Sequence, residues 1–337
     1  MNRFNCMDAP IEINGLLSDY KKGKFYKLNE CMFDKVSETI TRLGQRSTGG
    51  RIRFRTDAKS FSVKVVLQTL SVDRNFTLLG SAGCPVIAGL GDGCTYLGCV
   101  NPYNYEDKTN EATFELKGDQ VEDITIYFPR NEKVEDVEII LEDGARMLPP
   151  TLFDYENPII FYGSSITEGC TAVHSANSYV AVTSRWLNAD YVNLGFSGAA
   201  KGEPVLAEYI KSLPMAAFVM DYDHNAPSKE HLEATHENFF KIIREAHPTL
   251  PILILSRPDF DSHKEENAKR RDIVKRTYLN ALTKGDQHVE FIDGETFFGE
   301  RGRFACTIDG CHPSDVGMMR MAEKVYPVLY EMLKKNS

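Results

Sequence analysis

No run of apolar residues in this chain approaches the roughly 20 that a membrane-spanning helix requires. Positive charge is also in short supply: 39 Lys and Arg stand against 48 Asp and Glu, a formal charge of -9. A surface of that sign repels phosphate backbones and anionic lipid, and no local basic stripe compensates, so neither nucleic acid nor a membrane is an expected partner. The opening residues Met1-Asn2-Arg3-Phe4-Asn5-Cys6 lead into no apolar stretch of signal-peptide length, and a cytoplasmic location is the expectation. Eight cysteines are few for 337 residues, and no CxxC pair occurs among them. That density does not describe a disulfide scaffold. Cys84, Cys94 and Cys99 have no histidine near them in sequence, so small buried hydrophobes describe them better than a structural zinc site. The glycine-rich stretch Gly89 to Gly98 lacks the Gly-Lys-Ser/Thr ending of a nucleotide loop. No motif asks for a metal or an organic cofactor.

What is present is ample core material, with 42% hydrophobic residues, and enough chain for two domains. Residues 1–148 read as all-β. Arg51-Ile52-Arg53-Phe54-Arg55 and Phe61-Ser62-Val63-Lys64-Val65 alternate apolar with polar, as half-buried strands do. Thr113 to Leu116, Ile124 to Phe128 and Val137 to Leu141 continue the pattern, with Gly, Asn and Asp between several of them. Short strands at close spacing predict an antiparallel sandwich.

At Met147-Leu148-Pro149-Pro150 the pattern changes, and residues 149–337 read as α/β. Five short apolar runs (Ile159 to Tyr162, Tyr191 to Leu194, Ala216 to Met220, Ile252 to Leu255, Val289 to Ile292) alternate with helical stretches at Asn177 to Leu187, Lys229 to Glu245 and Asn267 to Thr283. A last helix is predicted from Pro313 to about Lys334. Such alternation builds a parallel sheet covered on both faces.

Reactive groups in an open parallel sheet collect at the carboxyl ends of its strands. The first strand ends in Tyr162-Gly163-Ser164-Ser165-Ile166-Thr167-Glu168-Gly169, which places Ser165 at a strand-to-helix turn. A serine hydroxyl needs a base to become a nucleophile. Of eight histidines, His312 in Asp309-Gly310-Cys311-His312-Pro313 has the best setting, because Asp309 can fold back to hold Nδ1 and leave Nε2 free. Gly198 and Asn225, after the next two strands, are candidate oxyanion donors. Each residue also has a plainer explanation. Ser165 to Glu168 fits a capping box, His312 could lead into a helix, Asp309 and Gly198 could form turns, and Asn225 could be a loop residue. The ordered appearance of all five at successive strand ends favours the chemical reading.

That order, Gly-Ser-Ser-Ile, then Gly, then Asn, then Asp-x-x-His, resembles the four sequence blocks of the SGNH hydrolase superfamily, which includes the GDSL esterases. The resemblance runs from about Asn157 to the end. With a β-rich domain ahead of it, the chain is similar to two-domain carbohydrate esterases of that superfamily. The resemblance implies a flavodoxin-like three-layer sandwich with a five-stranded parallel sheet, preceded by a jelly-roll-like β-sandwich. It also implies Ser165 as nucleophile and, through its amide, first oxyanion donor; Gly198 and Asn225 as further donors; and His312 with Asp309 as base and orienter. Two departures stand out. The usual Gly-Asp-Ser is Gly163-Ser164-Ser165, and the usual Gly-x-Asn-Asp is Asp223-His224-Asn225-Ala226.

The expected activity is removal of short acyl groups, acetyl foremost, from an oligosaccharide or small-molecule ester. A lysophospholipase or thioesterase of the same fold, or a carbohydrate-binding protein without catalysis, are the alternatives. Tyr96, His174 and His224 are candidates for substrate contact. His224 with Asp221 and Asp223 could be read as a metal cluster, but a satisfied polar network is the better reading. His236 and His247, in charged helical surroundings, are expected on the surface. The sequence leaves a homo-oligomer open.

Overall fold

A computed structural model describes residues 1–118 and 120–336 of the chain. They form two compact units. The first comprises Met1–Glu30, Gly44–Asp154 and Val173–Ala176; the second comprises Cys31–Leu43, Tyr155–Ala172 and residues 177–336.

The first unit is built from two antiparallel sheets. One runs in the order Asn2–Asn5, Val134–Leu141, Ser60–Leu67, Thr109–Glu115. The other runs Met147–Leu148, Arg51–Thr56, Glu122–Tyr127, Cys84–Ala88, Thr95–Val100, with Glu12–Asn14 also paired to Arg51–Thr56. Phe61, Val63, Val65 and Leu67 alternate inward along their strand, as the period-two pattern predicts. Together with Phe54, Ile124, Ile126 and Ile139 they form one apolar core fed by both sheets, in which the Phe54 and Phe61 rings meet edge to face at 5.9 Å. Arg51–Thr56 departs from the half-buried expectation, because Arg51 and Arg53 are buried as well. Their guanidinium groups are satisfied locally: Arg51 donates to the Gly49 carbonyl, and Arg53 donates to the Thr151 carbonyl and lies 3.6 Å above the Phe153 ring.

In the second unit the elements are labelled in chain order. Five strands, β1 (Ile159–Gly163), β2 (Tyr191–Gly195), β3 (Ala217–Asp221), β4 (Ile252–Leu255) and β5 (Val289–Ile292), form a parallel sheet in the order β2-β1-β3-β4-β5. This is the doubly wound, flavodoxin-like order, whose direction of winding reverses between β1 and β3. Strands β1 to β4 are buried throughout, which explains their unbroken apolar runs. The helices are α1 (Ser165–Glu168), α2 (Tyr179–Trp186), α3 (Pro204–Ile210), α4 (Lys229–Ala246), α5 (Lys264–Thr283) and α6 (Asp315–Asn336). Helix α2 packs on α6, while α3, α4 and α5 pack in series. The short α3 was not anticipated, and neither was the helix Glu38–Gly44 in the β-rich half. No helix among the described residues is long and apolar enough to cross a membrane.

His236 overturns its surface expectation. It lies on the buried face of α4, its Nδ1 is 2.8 Å from Thr277 Oγ1 and its ring stacks on Tyr222. Burial pulls its pKa down to about 4. A charged neighbourhood in sequence does not say which face of a helix a residue occupies. His247 is half-buried, with its Nε2 2.7 Å from the Lys211 carbonyl.

Candidate active site

Strand β1 delivers Ser165 through a turn that only glycine can make. A Cβ on Gly163 would fall 2.1 Å from Thr167 Oγ1 and 2.3 Å from the Asp221 carbonyl. Ser164, and not Ser165, caps α1: its hydroxyl accepts from the Ile166 amide at 3.1 Å. Ser165, the first helical residue, is thereby released from capping, and its Oγ lies 3.0 Å from His312 Nε2.

His312 arrives on the turn before α6. Asp309 Oδ1 accepts from the amides of Cys311 at 3.0 Å and His312 at 2.8 Å, which closes the turn. Asp309 Oδ2 lies 2.8 Å from His312 Nδ1. Burial resists the Asp309 charge, but its bonds to His312 outweigh burial and lower its pKa. The His312 imidazole is raised, first by its bond to Cys311 and then, against burial, by Asp309. The hydroxyl, imidazole and carboxylate thus form one continuous hydrogen-bonded series across 147 residues of sequence.

Gly198 and Asn225 follow β2 and β3, the two strands that flank β1 in register, Gly163 standing opposite both Gly195 and Asp221. Gly198 has φ +70°, a left-handed conformation that suits glycine. Its loop is tied to α1 through Ser197, whose hydroxyl and amide both donate to Glu168 Oε2. Asn225 is half-buried, and its Oδ1 has no hydrogen-bond partner. Its loop is anchored by buried Asp223, which accepts from Arg270 Nε at 3.0 Å and from the Arg257 amide at 3.1 Å. Arg270 of α5 reaches further, to the Ala226 carbonyl at 3.1 Å.

Asp221, Asp223 and His224 do not share a point. Asp221 accepts from Thr167 Oγ1 and Tyr179 Oη, both at 2.8 Å, and burial lifts its pKa to about 7 against those bonds. His224 turns elsewhere: its Nε2 is 3.0 Å from Cys311 Sγ and its Nδ1 faces Asp259 Oδ1 at 3.4 Å. Two triplets among the described residues, His224–Asp259–Cys311 and Asp309–Cys311–His312, bring ligand-type atoms within 4.8 Å of one another. In the first, His224 Nε2 meets Cys311 Sγ, while its Nδ1 lies near Asp259 without a hydrogen bond. Tyr96 and His174 both belong to the β unit, where their rings stack at 4.9 Å. Sequence reasoning missed Arg257, Asp259, Arg270 and Cys311. Only Cys311, as the neighbour of His312, carried a local hint.

Comparison with known proteins agrees with this architecture. A model of the GDSL-like lipase/acylhydrolase family matches residues 156–330, and a model of the N-terminus of SGNH-hydrolase-type esterases matches residues 2–147. A Bacteroides ovatus protein described as a GDSL-like lipase superposes with a TM-score of 0.85 at 23% identity, over 99% of this chain and 98% of that one. A salicylyl-acyltransferase from a tetracycline biosynthetic pathway gives 0.77 at 20% identity, over 98% and 97%. An acetyl xylan esterase from the rumen bacterium Butyrivibrio proteoclasticus gives 0.58 at 12%, over 99% and 98%. At these identities the likeness is one of fold. No curated protein sequence matches. The first family model begins just ahead of β1 and runs well into α6, so it takes in the Ser165 turn and the His312 turn together: the chain belongs to the GDSL-like lipase/acylhydrolase family.

Proposed function

We propose that this chain is a serine esterase that removes short acyl groups, acetyl foremost, from a carbohydrate or similar small ester through an acyl-enzyme. The observation that carries the reading is the paired contact of His312, with Nε2 3.0 Å from Ser165 Oγ and Nδ1 2.8 Å from Asp309 Oδ2. In this mechanism Ser165 Oγ attacks the ester carbonyl as its proton passes to His312 Nε2. Asp309 fixes the tautomer and stabilises the imidazolium that forms. The amides of Ser165 and Gly198 and the Asn225 side-chain NH₂ receive the developing oxyanion. His312 then protonates the departing alcohol, and water, deprotonated by the same imidazole, releases the acid. The choice of acetyl and sugar is supported by the two-domain layout, whose fold is shared with an acetyl xylan esterase.

Ser165→Ala is expected to lower hydrolysis of p-nitrophenyl acetate by about three orders of magnitude or more, and turnover near the parent rate would refute the assignment. Acetate should be preferred to octanoate among esters of one alcohol; the reverse order would favour a lysophospholipase or thioesterase. Acetate release from a panel of acetylated oligosaccharides would then identify the sugar.

A further inference from the structure

The series Asp309–His312–Ser165 has a sulfur counterpart in the same unit. Cys311 Sγ lies 3.0 Å from His224 Nε2, and His224 Nδ1 faces Asp259 Oδ1 at 3.4 Å. Asp259 is itself gripped by Arg257, with Nε 2.8 Å from Oδ1 and Nη2 2.7 Å from Oδ2. Carboxylate, imidazole and thiol gather within 4.8 Å of one another, on side chains to which the esterase mechanism assigns no bond-making step. His224 and Asp259 are largely enclosed, whereas Cys311 is only half-buried, so a small reagent can reach the sulfur.

We propose that Cys311 is a reactive thiolate, paired with His224, and that it takes covalent modification by small soft electrophiles and hydroperoxides. The groups that face it are His224 from the loop after β3, Arg257 and Asp259 from the segment after β4, and Asp309 and His312 from its own turn; Asp223 and Arg270 pair with each other behind the loop. Burial opposes ionisation of this thiol, but the bonds and charges of His224 and His312 prevail and bring it to about 7. Other cysteines move the opposite way: burial pushes Cys6 and Cys99 to about 12 and raises Cys84 well above the ordinary thiol value.

The chemistry balances with the partners present. Toward iodoacetamide, the thiolate forms an S–C bond as the C–I bond breaks and iodide leaves. Toward hydrogen peroxide, sulfur attacks one oxygen and the O–O bond breaks. Sulfur is oxidised to the sulfenic acid, peroxide is reduced, and the leaving hydroxide takes the His224 proton and departs as water. A group added beside His312 would also crowd the imidazole. That consequence rests on the Ser165 mechanism, whereas the thiol's reactivity does not.

The test uses the folded full-length protein with limiting iodoacetamide, read by peptide mass spectrometry, with exposed Cys31 as internal reference. Cys311 should be alkylated at least about tenfold faster than Cys31, and after peroxide treatment dimedone should trap a sulfenic acid there. His224→Gln should slow Cys311 alkylation about tenfold and leave the Cys31 rate unchanged. Loss of p-nitrophenyl acetate hydrolysis should track Cys311 alkylation, and whatever hydrolysis Cys311→Ser retains should be insensitive to the reagent. Cys311 labelled no faster than Cys31, or a rate indifferent to His224→Gln, would overturn the proposal. If the labelling behaves as expected while the parent protein hydrolyses no ester, the Ser165 mechanism fails and the reactive thiol stands.

Discussion

Two adjacent serines divide the work at the start of α1. Ser164 satisfies the helix amide and Ser165 turns its hydroxyl to His312. An aspartate at position 164 would cap equally well, so the departure from Gly-Asp-Ser changes the cap and leaves the nucleophile alone. His312 sets the pH behaviour. It accepts the serine proton only when neutral, and Cys311 and Asp309 hold it protonated to a higher pH than an ordinary imidazole. Hydrolysis should therefore decline as pH falls through that raised value. Asp309→Asn removes one of the raising groups, so the acidic limb of kcat/KM should move to lower pH while the plateau drops by about 10³ to 10⁴. A pH–rate profile with its limb unmoved would speak against a carboxylate that acts on the imidazole. The Asp309–His312 partnership was legible in sequence because three residues span it. The His224 partnerships were not, since Cys311 lies 87 residues away and nothing local announces the meeting.

At the scale of elements, the loop after β3 depends on α5. Asp223 is buried and its carboxylate is met by Arg270 and by the Arg257 amide, so the helix holds the turn that presents Asn225. Arg270→Met would leave that carboxylate enclosed without its cation. Stability should fall by about 3 to 5 kcal/mol, measured by urea unfolding, and acetate-ester turnover should fall with it. If Asp223→Leu is added, much of the stability should return but not the turnover, because an apolar pair fills the space without fixing the loop. The strands and the long helices were readable because each is either apolar throughout or periodic over many residues. Helix α3 has only seven residues and begins at Pro204, too short a pattern to stand out. Arg51 and Arg53 misled differently: charge in an alternating strand implied solvent, and the satisfying carbonyls belong to Gly49 and, far along the chain, Thr151.

The whole molecule is less simply partitioned than a division at residues 148 and 149 suggests. Cys31–Leu43 belongs to the α/β unit, and its Met32, Ile40 and Leu43 are buried. A fragment of residues 149–337 loses these side chains, each worth about 1.5 to 3 kcal/mol of burial. It should unfold at a lower temperature than the same unit does in the intact chain. Trp186, the one tryptophan, sits in that unit with its ring edge to face with Tyr326 at 5.6 Å, and its fluorescence can follow the transition in both samples. Equal midpoints would mean that the segment contributes nothing. The turn of composition at Pro149-Pro150 was visible because proline marks it, but a thirteen-residue loan from the other half carries no such mark. A polypeptide woven in this way resists being traded as modules. Recombination that swaps only the hydrolase half would leave part of its interior behind with the old partner, so the two halves are expected to descend together.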